Sequence, residues 1–302
     1  MEHIPSNIML KTFFRESLPN WVTETCQEIF RKIIYETKSE DHDKIELEIK
    51  LGRLEFKGKY SVFSFVSDTF KIPNSLQNYG ENYIQFHSGL LEFQFYTLWY
   101  QVEKEYQRSI KNNDNEIKQL VPVTYKEFIY KSGKRRSLEV TNEGFKETVI
   151  LKSDKKHINI KHSDCDFRVT TCVEQPSVIE AEDKVKTYRE KFRTSFSFRC
   201  FRLDFTVVNT VMDINFNNFN LNLEEIAINK LGTIPTTTFE VEFEFAKLFN
   251  ALQQIKYDYL LFEKMLNRYL RNAFCFGKAY KYEYNYCQTG KSLFGNYLIN
   301  NK

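Results

Sequence analysis

Two stretches in which apolar and charged residues alternate with period two constrain this chain most strongly. Residues 44–53 read KIELEIKLGR, and residues 238–245 read TFEVEFEF. Successive side chains of a β-strand point to opposite faces, so each stretch predicts a strand with one apolar and one charged face. The two charged faces carry Glu46, Glu48, Lys50, Glu240, Glu242 and Glu244.

The second strand places three carboxylates in a row on one face, while its other face is apolar. Carboxylates at this spacing repel one another, and they are tolerated either in open water or where cations lie among them. A solvated surface strand is therefore one interpretation of the pattern. The other is that the two strands meet and form an all-oxygen site for a hard divalent cation such as Mg²⁺ or Mn²⁺.

Composition limits the classes of protein to which the chain can belong. Its 302 residues suffice for one large or two ordinary domains, and a hydrophobic content of 42% allows a packed core. A net charge of +3, from 43 basic and 40 acidic residues, excludes a polybasic nucleic-acid coat. The six cysteines form no C-x-x-C pair and indicate reduced thiols of an intracellular protein. No apolar run reaches the length of a membrane span, so we expect no membrane partner.

Helical periodicity predicts three long helices. Apolar residues recur at helical spacing over residues 21–35 and again over residues 91–106, where Ser88 is expected to be the N-cap. A third helix is predicted over residues 246–272. These helices offer apolar faces against which the strands can pack.

The middle of the chain, residues 121–208, is predicted to consist mostly of strands whose polar faces also carry ionisable groups. Two architectures accommodate such strands. One is a sandwich with a charged exterior, and the other is a closed antiparallel barrel whose apolar faces pack against helices while its charged faces line the bore. Charges buried in a bore must pair or bind a charged ligand; Arg and Lys select phosphate, and clustered glutamates select divalent cations. A bore of this kind suits a metal-bound polyphosphate. The ionisable side chains that the strands of this middle region contribute are Arg136, Lys152, Arg168, Glu174, Lys191, Arg193, Arg202 and Asp204.

The order of these motifs resembles a known family, the triphosphate tunnel metalloenzymes. The resemblance is narrower still to the fungal and protozoan type of mRNA-capping RNA 5′-triphosphatase, the beta subunit of the capping apparatus. It spans about residues 20–270. The motifs that carry it are Glu46-x-Glu48-x-Lys50, Phe86-His87-Ser88-Gly89-Leu90, Asp166-Phe167-Arg168-Val169-Thr170, Lys191-x-Arg193, Arg202-Leu203-Asp204-x-Thr206 and Glu240-x-Glu242-x-Glu244.

The resemblance implies an α+β fold, a closed antiparallel eight-stranded β-barrel flanked by helices. Residues 1–302 would form a single tunnel domain with a core of about 20–272, and the tail 273–302 is left unplaced. A bore lined by both acids and bases would then enclose the site. By the same resemblance the bound ion would be Mg²⁺ or Mn²⁺.

The resemblance also implies a role for each matched residue. Glu174 would position or deprotonate the attacking water. Arg168 would either contact phosphate or have a structural role. Arg135 remains an alternative to Arg136, because a one-residue error in register exchanges the faces of a strand. The metal ligands would be Glu46, Glu48, Glu242 and Glu244, and Glu240 would either support them or help to place a second ion. The phosphate contacts would be Arg136, Lys152, Lys191 and Arg193, and the bracing set would be Arg202, Asp204 and Thr206.

The implied activity is removal of the γ-phosphate from triphosphate-ended RNA, the first step of mRNA 5′ capping, with a side activity on nucleoside triphosphates. The expected partners are RNA, an mRNA guanylyltransferase and a second copy of the chain, in the nucleus. Two alternatives stay open. One is a tunnel-fold inorganic tripolyphosphatase or nucleotide phosphohydrolase, and the other is a non-catalytic, Mediator-like scaffold of the same fold. The presence of all five glutamates favours an enzyme.

Overall fold

A computed structural model describes most of the chain. The described residues are 20–57, 70–72, 84–112, 117–141, 143–162, 165–198, 201–212, 226, 228, 234–245, 252–253, 255–278 and 284–300.

The strands of these residues form one antiparallel sheet that closes on itself. Eight strands complete the ring in the order β1, β8, β7, β6, β5, β9, β10 and β11, and pairing of β11 with β1 closes it. Three short strands lie outside the ring, with β2 on β7, β3 on β1 and β4 on β9. The bounds are β1 Ile45–Phe56, β2 Phe70–Lys71, β3 Ile84–Ser88, β4 Lys118–Gln119, β5 Val123–Tyr130, β6 Lys134–Thr141, β7 Gly144–Lys161, β8 Asp166–Pro176, β9 Val185–Ser197, β10 Arg202–Met212 and β11 Thr236–Glu244. The expected closed barrel is therefore confirmed.

Four described α-helices accompany the barrel: α1 Asn20–Arg31, α2 Glu92–Lys111, α3 Tyr259–Lys278 and α4 Tyr284–Asn300. A π-helical turn, Lys32–Glu36, and a 3-10 turn, Ser39–Lys44, connect α1 to β1. None of these described helices has the length and apolar character needed to cross a membrane.

The main hydrophobic core lies outside the barrel wall, between the strands and the helices. Leu47, Ile49 and Leu51 of β1 are at most 1% exposed and pack in the same cluster as Phe95 and Trp99 of α2. These three apolar residues alternate with Glu46, Glu48 and Lys50, so burial of one set outward turns the charged set inward. The barrel is thus apolar on the outside and charged inside.

Two buried hydrogen bonds attach helices to the wall. The indole N–H of Trp99 donates to the Thr194 hydroxyl at 3.0 Å, and the Tyr269 hydroxyl donates to the Phe243 carbonyl at 2.6 Å. Helix α4 packs on α2 at Gly290, where an added Cβ would lie 2.3 Å from the Tyr96 carbonyl oxygen. The unplaced C-terminal tail therefore forms part of the helical layer.

Two details of the predicted helices are corrected. Ser88 ends strand β3, and Leu91 is the N-cap of α2, where its N–H donates to the Gln94 side chain at 3.0 Å. The third predicted helix is interrupted, because Lys256 and Tyr257 have φ values of 51° and 57°, which no right-handed helix accommodates; residues 252–253 are helical, and α3 begins at Tyr259. Residues 246–251 lie outside the described residues.

Candidate active site

The register of the strands decides which charged side chains face the bore. Glu48 of β1 lies opposite Glu244 of β11, and Lys50 lies opposite Glu242. Directly opposed residues point to the same face of a sheet, so the two glutamate-rich strands share an inner face. The interpretation as a solvated surface strand is thereby overturned.

Lys50 joins the two glutamate-rich strands. Its Nζ lies 2.6 Å from Glu242 Oε1 and 3.4 Å from Glu48 Oε1. Burial alone would raise the pKa of Glu242, but Lys50 and Arg193 lower it well below its ordinary value. Glu242 is therefore an anion held between two cations.

Lys152 of β7 joins β1 to β8. Its Nζ lies 2.5 Å from Glu46 Oε2 and 2.8 Å from Glu174 Oε1. The Cys172 thiol also donates to Glu46 Oε2, at 3.2 Å. Burial raises the pKa of Glu46, yet Lys152 more than offsets that effect and leaves the pKa lowered. Lys152 thus links Glu174 to Glu46, a candidate metal ligand. Glu174 itself lies on β8, apart from the glutamates of β1 and β11.

A second network connects the arginines of β9 and β10 to Asp204. Arg193 Nη1 lies 3.0 Å from Asp204 Oδ2, and Arg193 Nε donates to the Thr206 hydroxyl at 3.1 Å. Arg202 donates to both oxygens of Asp204, at 2.7 and 2.9 Å, and also contacts Glu244. Asp204 is 1% exposed and contacts both guanidinium groups.

A third network centres on Glu127, which the sequence did not single out. Glu127 is 3% exposed, and Lys191 Nζ lies 2.9 Å from its Oε1. Arg135 and Arg189 approach the same carboxylate at 3.5 and 3.7 Å. Burial opposes ionisation, but Lys191 and Arg135 lower the pKa of Glu127 to about 2. Three cations of the bore are therefore gathered around one carboxylate.

Arg136 does not belong to this inner surface. Arg135 pairs with Ile129 and Ile150 and reaches Glu127, whereas Arg136 points to the outer face and binds Glu147 at 2.7 Å. Of the two alternatives, Arg135 and not the expected Arg136 therefore faces the bore. The turn between β5 and β6 sets this register, with Gly133 at φ 86°.

Glu240 and Arg168 complete the set of matched residues. Glu240 lies opposite Thr206, on the inner face one position beyond Glu242. Arg168 Nε donates to the Asn159 side chain at 2.8 Å, and its guanidinium carbon lies 4.6 Å from the ring centre of Phe86. These contacts are those of a structural arginine at the edge of the charged bore.

The donor set fits a hard divalent cation in its chemistry. Burial, opposed in part by Lys50, raises the pKa of Glu48 to about 7, with Glu242 and Glu46 adding to the rise. Burial also raises the pKa of Glu244, beside Asp204 and Glu46. A raised pKa means that the ionised form of the carboxyl group is unfavourable in its surroundings, and a bound cation would stabilise that form. In the part of the chain described here, no three acidic, His or Cys side chains are already gathered at ligating distance.

These features define the architecture: a closed eight-stranded barrel with a charged bore and an outer helical layer. No family model matches the sequence, and none of the curated proteins does. Among solved structures, the S. pombe Pct1 RNA triphosphatase in complex with the Spt5 CTD matches with a TM-score of 0.67 at 14% identity, covering 88% of this chain and 95% of that chain. A second structure of S. pombe Pct1 gives a TM-score of 0.65 at 14% identity, over 88% and 96% of the two chains. At this identity the likeness establishes the fold: the chain has the tunnel fold of these RNA triphosphatases.

Proposed function

We propose that this protein is a metal-dependent RNA 5′-triphosphatase that removes the γ-phosphate from triphosphate-ended RNA. The observation that carries the proposal is that Glu48 lies opposite Glu244 in the bore, with Glu46 and Glu242 next to them on the same inner faces. The same bore also holds Lys152, Lys191 and Arg193. Carboxylates and cations in one enclosed space suit a metal-bound triphosphate chain, whose own charge needs both. The fold shared with S. pombe Pct1 supports the same assignment.

The metal site would comprise Glu46, Glu48, Glu242 and Glu244, with Glu240 next to them. A Mg²⁺ or Mn²⁺ ion bound there would supply positive charge at the phosphate oxygens. Lys50 forms ion pairs with the carboxylates of Glu48 and Glu242. We therefore expect its side chain to move away from them when a cation binds.

The cations of β6, β7 and β9 would bind the phosphates. Lys152, Lys191, Arg193 and Arg135 are already fixed by carboxylates on neighbouring strands. Donors held in place before the reaction stabilise the charge that develops on phosphate oxygens without a cost of reorganisation. Arg202 and Asp204 would keep Arg193 in position.

Glu174 would accept a proton from the attacking water. Its carboxylate contacts Lys152 at 2.8 Å and lies beyond the pair formed by β1 and β11. A general base must reach the water and stay free of the metal, and the place of Glu174 on β8, apart from the glutamates of β1 and β11, supports this role. Thr206, which accepts from Arg193, stays a bracing residue.

Two other functions use the same bore. An inorganic tripolyphosphatase or nucleotide phosphohydrolase would need the same metal and phosphate contacts, and a side activity on nucleoside triphosphates follows from them. A non-catalytic, Mediator-like scaffold would have no need for paired glutamates inside the barrel, so we place it last. With the RNA activity we also propose a nuclear location, a functional link to an mRNA guanylyltransferase, and a homodimer.

Phosphate release measured side by side on triphosphate-ended RNA, ATP and tripolyphosphate tests the proposal. We expect release with Mg²⁺ or Mn²⁺, none with a chelator, and the highest kcat/KM on RNA. A preference for tripolyphosphate would favour the inorganic phosphatase. Absence of release from all three substrates at saturating metal would favour the scaffold.

A further inference from the structure

The two ends of the bore differ in chemistry along the inner face of β1. Beyond Lys50 this face continues as Gly52, Leu54 and Phe56, and Leu54 and Phe56 join a buried apolar cluster with Ile72 and Ile84. Phe86 of β3 packs on that cluster and covers Arg168. An added Cβ on Gly52 would lie 2.7 Å from the Phe86 ring, so glycine allows this aromatic side chain to approach. Along β1 and β3 the charged bore therefore ends against apolar groups.

At the other end the charged side chains become more exposed. The side chains of Glu174 and Glu244 are each 34% exposed and that of Arg202 is 30% exposed, against 4% for Glu127 and 12% for Glu242 deeper in the barrel. We refer to the end marked by Glu174, Arg202 and Glu244 as the polar mouth. A polyanion would meet these groups first.

Tyr125 lies at the polar mouth on the inner face of β5. The strand begins at Val123, and Tyr125 pairs with Glu139 on one side and Lys191 on the other. Its ring centre lies 5.7 Å from the guanidinium carbon of Arg193. Burial raises the pKa of the Tyr125 hydroxyl, so the side chain is a neutral ring at physiological pH. An aromatic ring is thus placed beside a proposed phosphate-binding arginine.

We propose that Tyr125 is the residue that distinguishes a nucleoside-bearing triphosphate from a bare polyphosphate, by stacking on the first base of the RNA. This inference rests on the proposed function, because it takes Arg193 as a phosphate contact. The ring of Tyr125 lies beside Arg193 at the polar mouth, so a nucleoside attached to phosphates held by Arg193 can stack on this ring as it extends towards that end. Stacking of a base on an aromatic side chain is worth about 1–3 kcal/mol by alanine substitution and tolerates any base. That range corresponds to about a 5- to 150-fold change in affinity.

The test compares Tyr125→Ala and Tyr125→Phe on three substrates, with Phe145→Ala as the control. Phe145 is an aromatic residue of β7 that lies on the outer face, where Lys126 covers its ring. We expect Tyr125→Ala to lower kcat/KM on triphosphate-ended RNA and on ATP by about 5- to 150-fold, and to leave tripolyphosphate within about twofold of wild type. Tyr125→Phe should behave like wild type, because it keeps the ring.

An equal fall on all three substrates would overturn the inference and leave Tyr125 as a support for Arg193. No fall on any substrate would overturn it as well. Should the wild-type protein hydrolyse none of them, calorimetric binding of ADP and of pyrophosphate still decides the point. The wild type should then prefer ADP, and Tyr125→Ala should abolish that preference; an unchanged preference would contradict stacking.

Discussion

Glu48 lies directly opposite Glu244, on neighbouring antiparallel strands inside the barrel. The pKa of each carboxyl is raised, chiefly by burial, and neighbouring carboxylates add to the effect. Two carboxylates on facing strands repel each other, and a divalent cation bound between them would relieve that repulsion. This pair links the stability of the barrel to the metal site proposed for it.

The first prediction concerns that stability. The pKa of Glu48 rises from 4.5 to about 7 on folding, so its contribution is fully present below pH 4.5 and is lost as the pH rises through about 7. Glu48→Gln should therefore stabilise the metal-free protein at pH 8, by up to about 3 kcal/mol, and have little effect at pH 4.5. Urea unfolding with a chelator at both pH values measures this difference. The control is Glu143→Gln, an exposed residue of the β6–β7 turn; a gain in stability from Glu143→Gln as large as that from Glu48→Gln would contradict the assignment.

The second prediction separates two adjacent arginines. Arg135→Ala removes a cation from the bore and should lower kcat on triphosphate-ended RNA about 10²-fold, as loss of one oxyanion donor does elsewhere. Arg136→Ala removes only a partly exposed pair with Glu147, so turnover should stay near wild type. Steady-state kinetics of the two variants measures this difference in kcat, after circular dichroism has shown that both are folded. The reverse order of effects would mean that the register of β6 is wrong by one residue.

The third prediction distinguishes a base from a metal ligand. Glu174→Gln keeps the size of the side chain but cannot accept a proton, so kcat should fall about 10²–10⁴-fold while apparent metal affinity changes little. Glu242→Gln removes one negative ligand and should weaken metal affinity instead. Titrating the activity of both variants with metal measures kcat and apparent metal affinity separately. If Glu174→Gln weakens the metal as much as Glu242→Gln does, Glu174 belongs to the metal shell.

Much of the inner surface could be predicted from the sequence because its strands alternate strictly. The faces of β1 and β11 follow from one glutamate every second residue, and no other register buries their apolar residues. Glu127 could not be found in this way. It is a lone carboxylate in a strand reading VTYKEFIY, and its neighbours Lys191, Arg135 and Arg189 come from other strands.

The sequence could not show whether Arg135 or Arg136 faces the bore, for a similar reason. Both residues are basic and adjacent, so alternation alone gives no preference between them. Only the pairing of Ile129 with Arg135, set by the turn at Gly133, decides the face. Periodicity does not locate the start of α3, because two residues with positive φ interrupt a pattern that is otherwise helical.

The central claim is that hydrolysis depends on carboxylates facing each other inside the barrel. The measurement that tests it most directly is γ-phosphate release from triphosphate-ended RNA by the wild type, Glu46→Ala and Glu244→Ala over a range of Mg²⁺ and Mn²⁺ concentrations. We expect metal-dependent release by the wild type and a loss of about 10³-fold or more in each variant, with both variants still folded. Wild-type rates in either folded variant at saturating metal would contradict the claim.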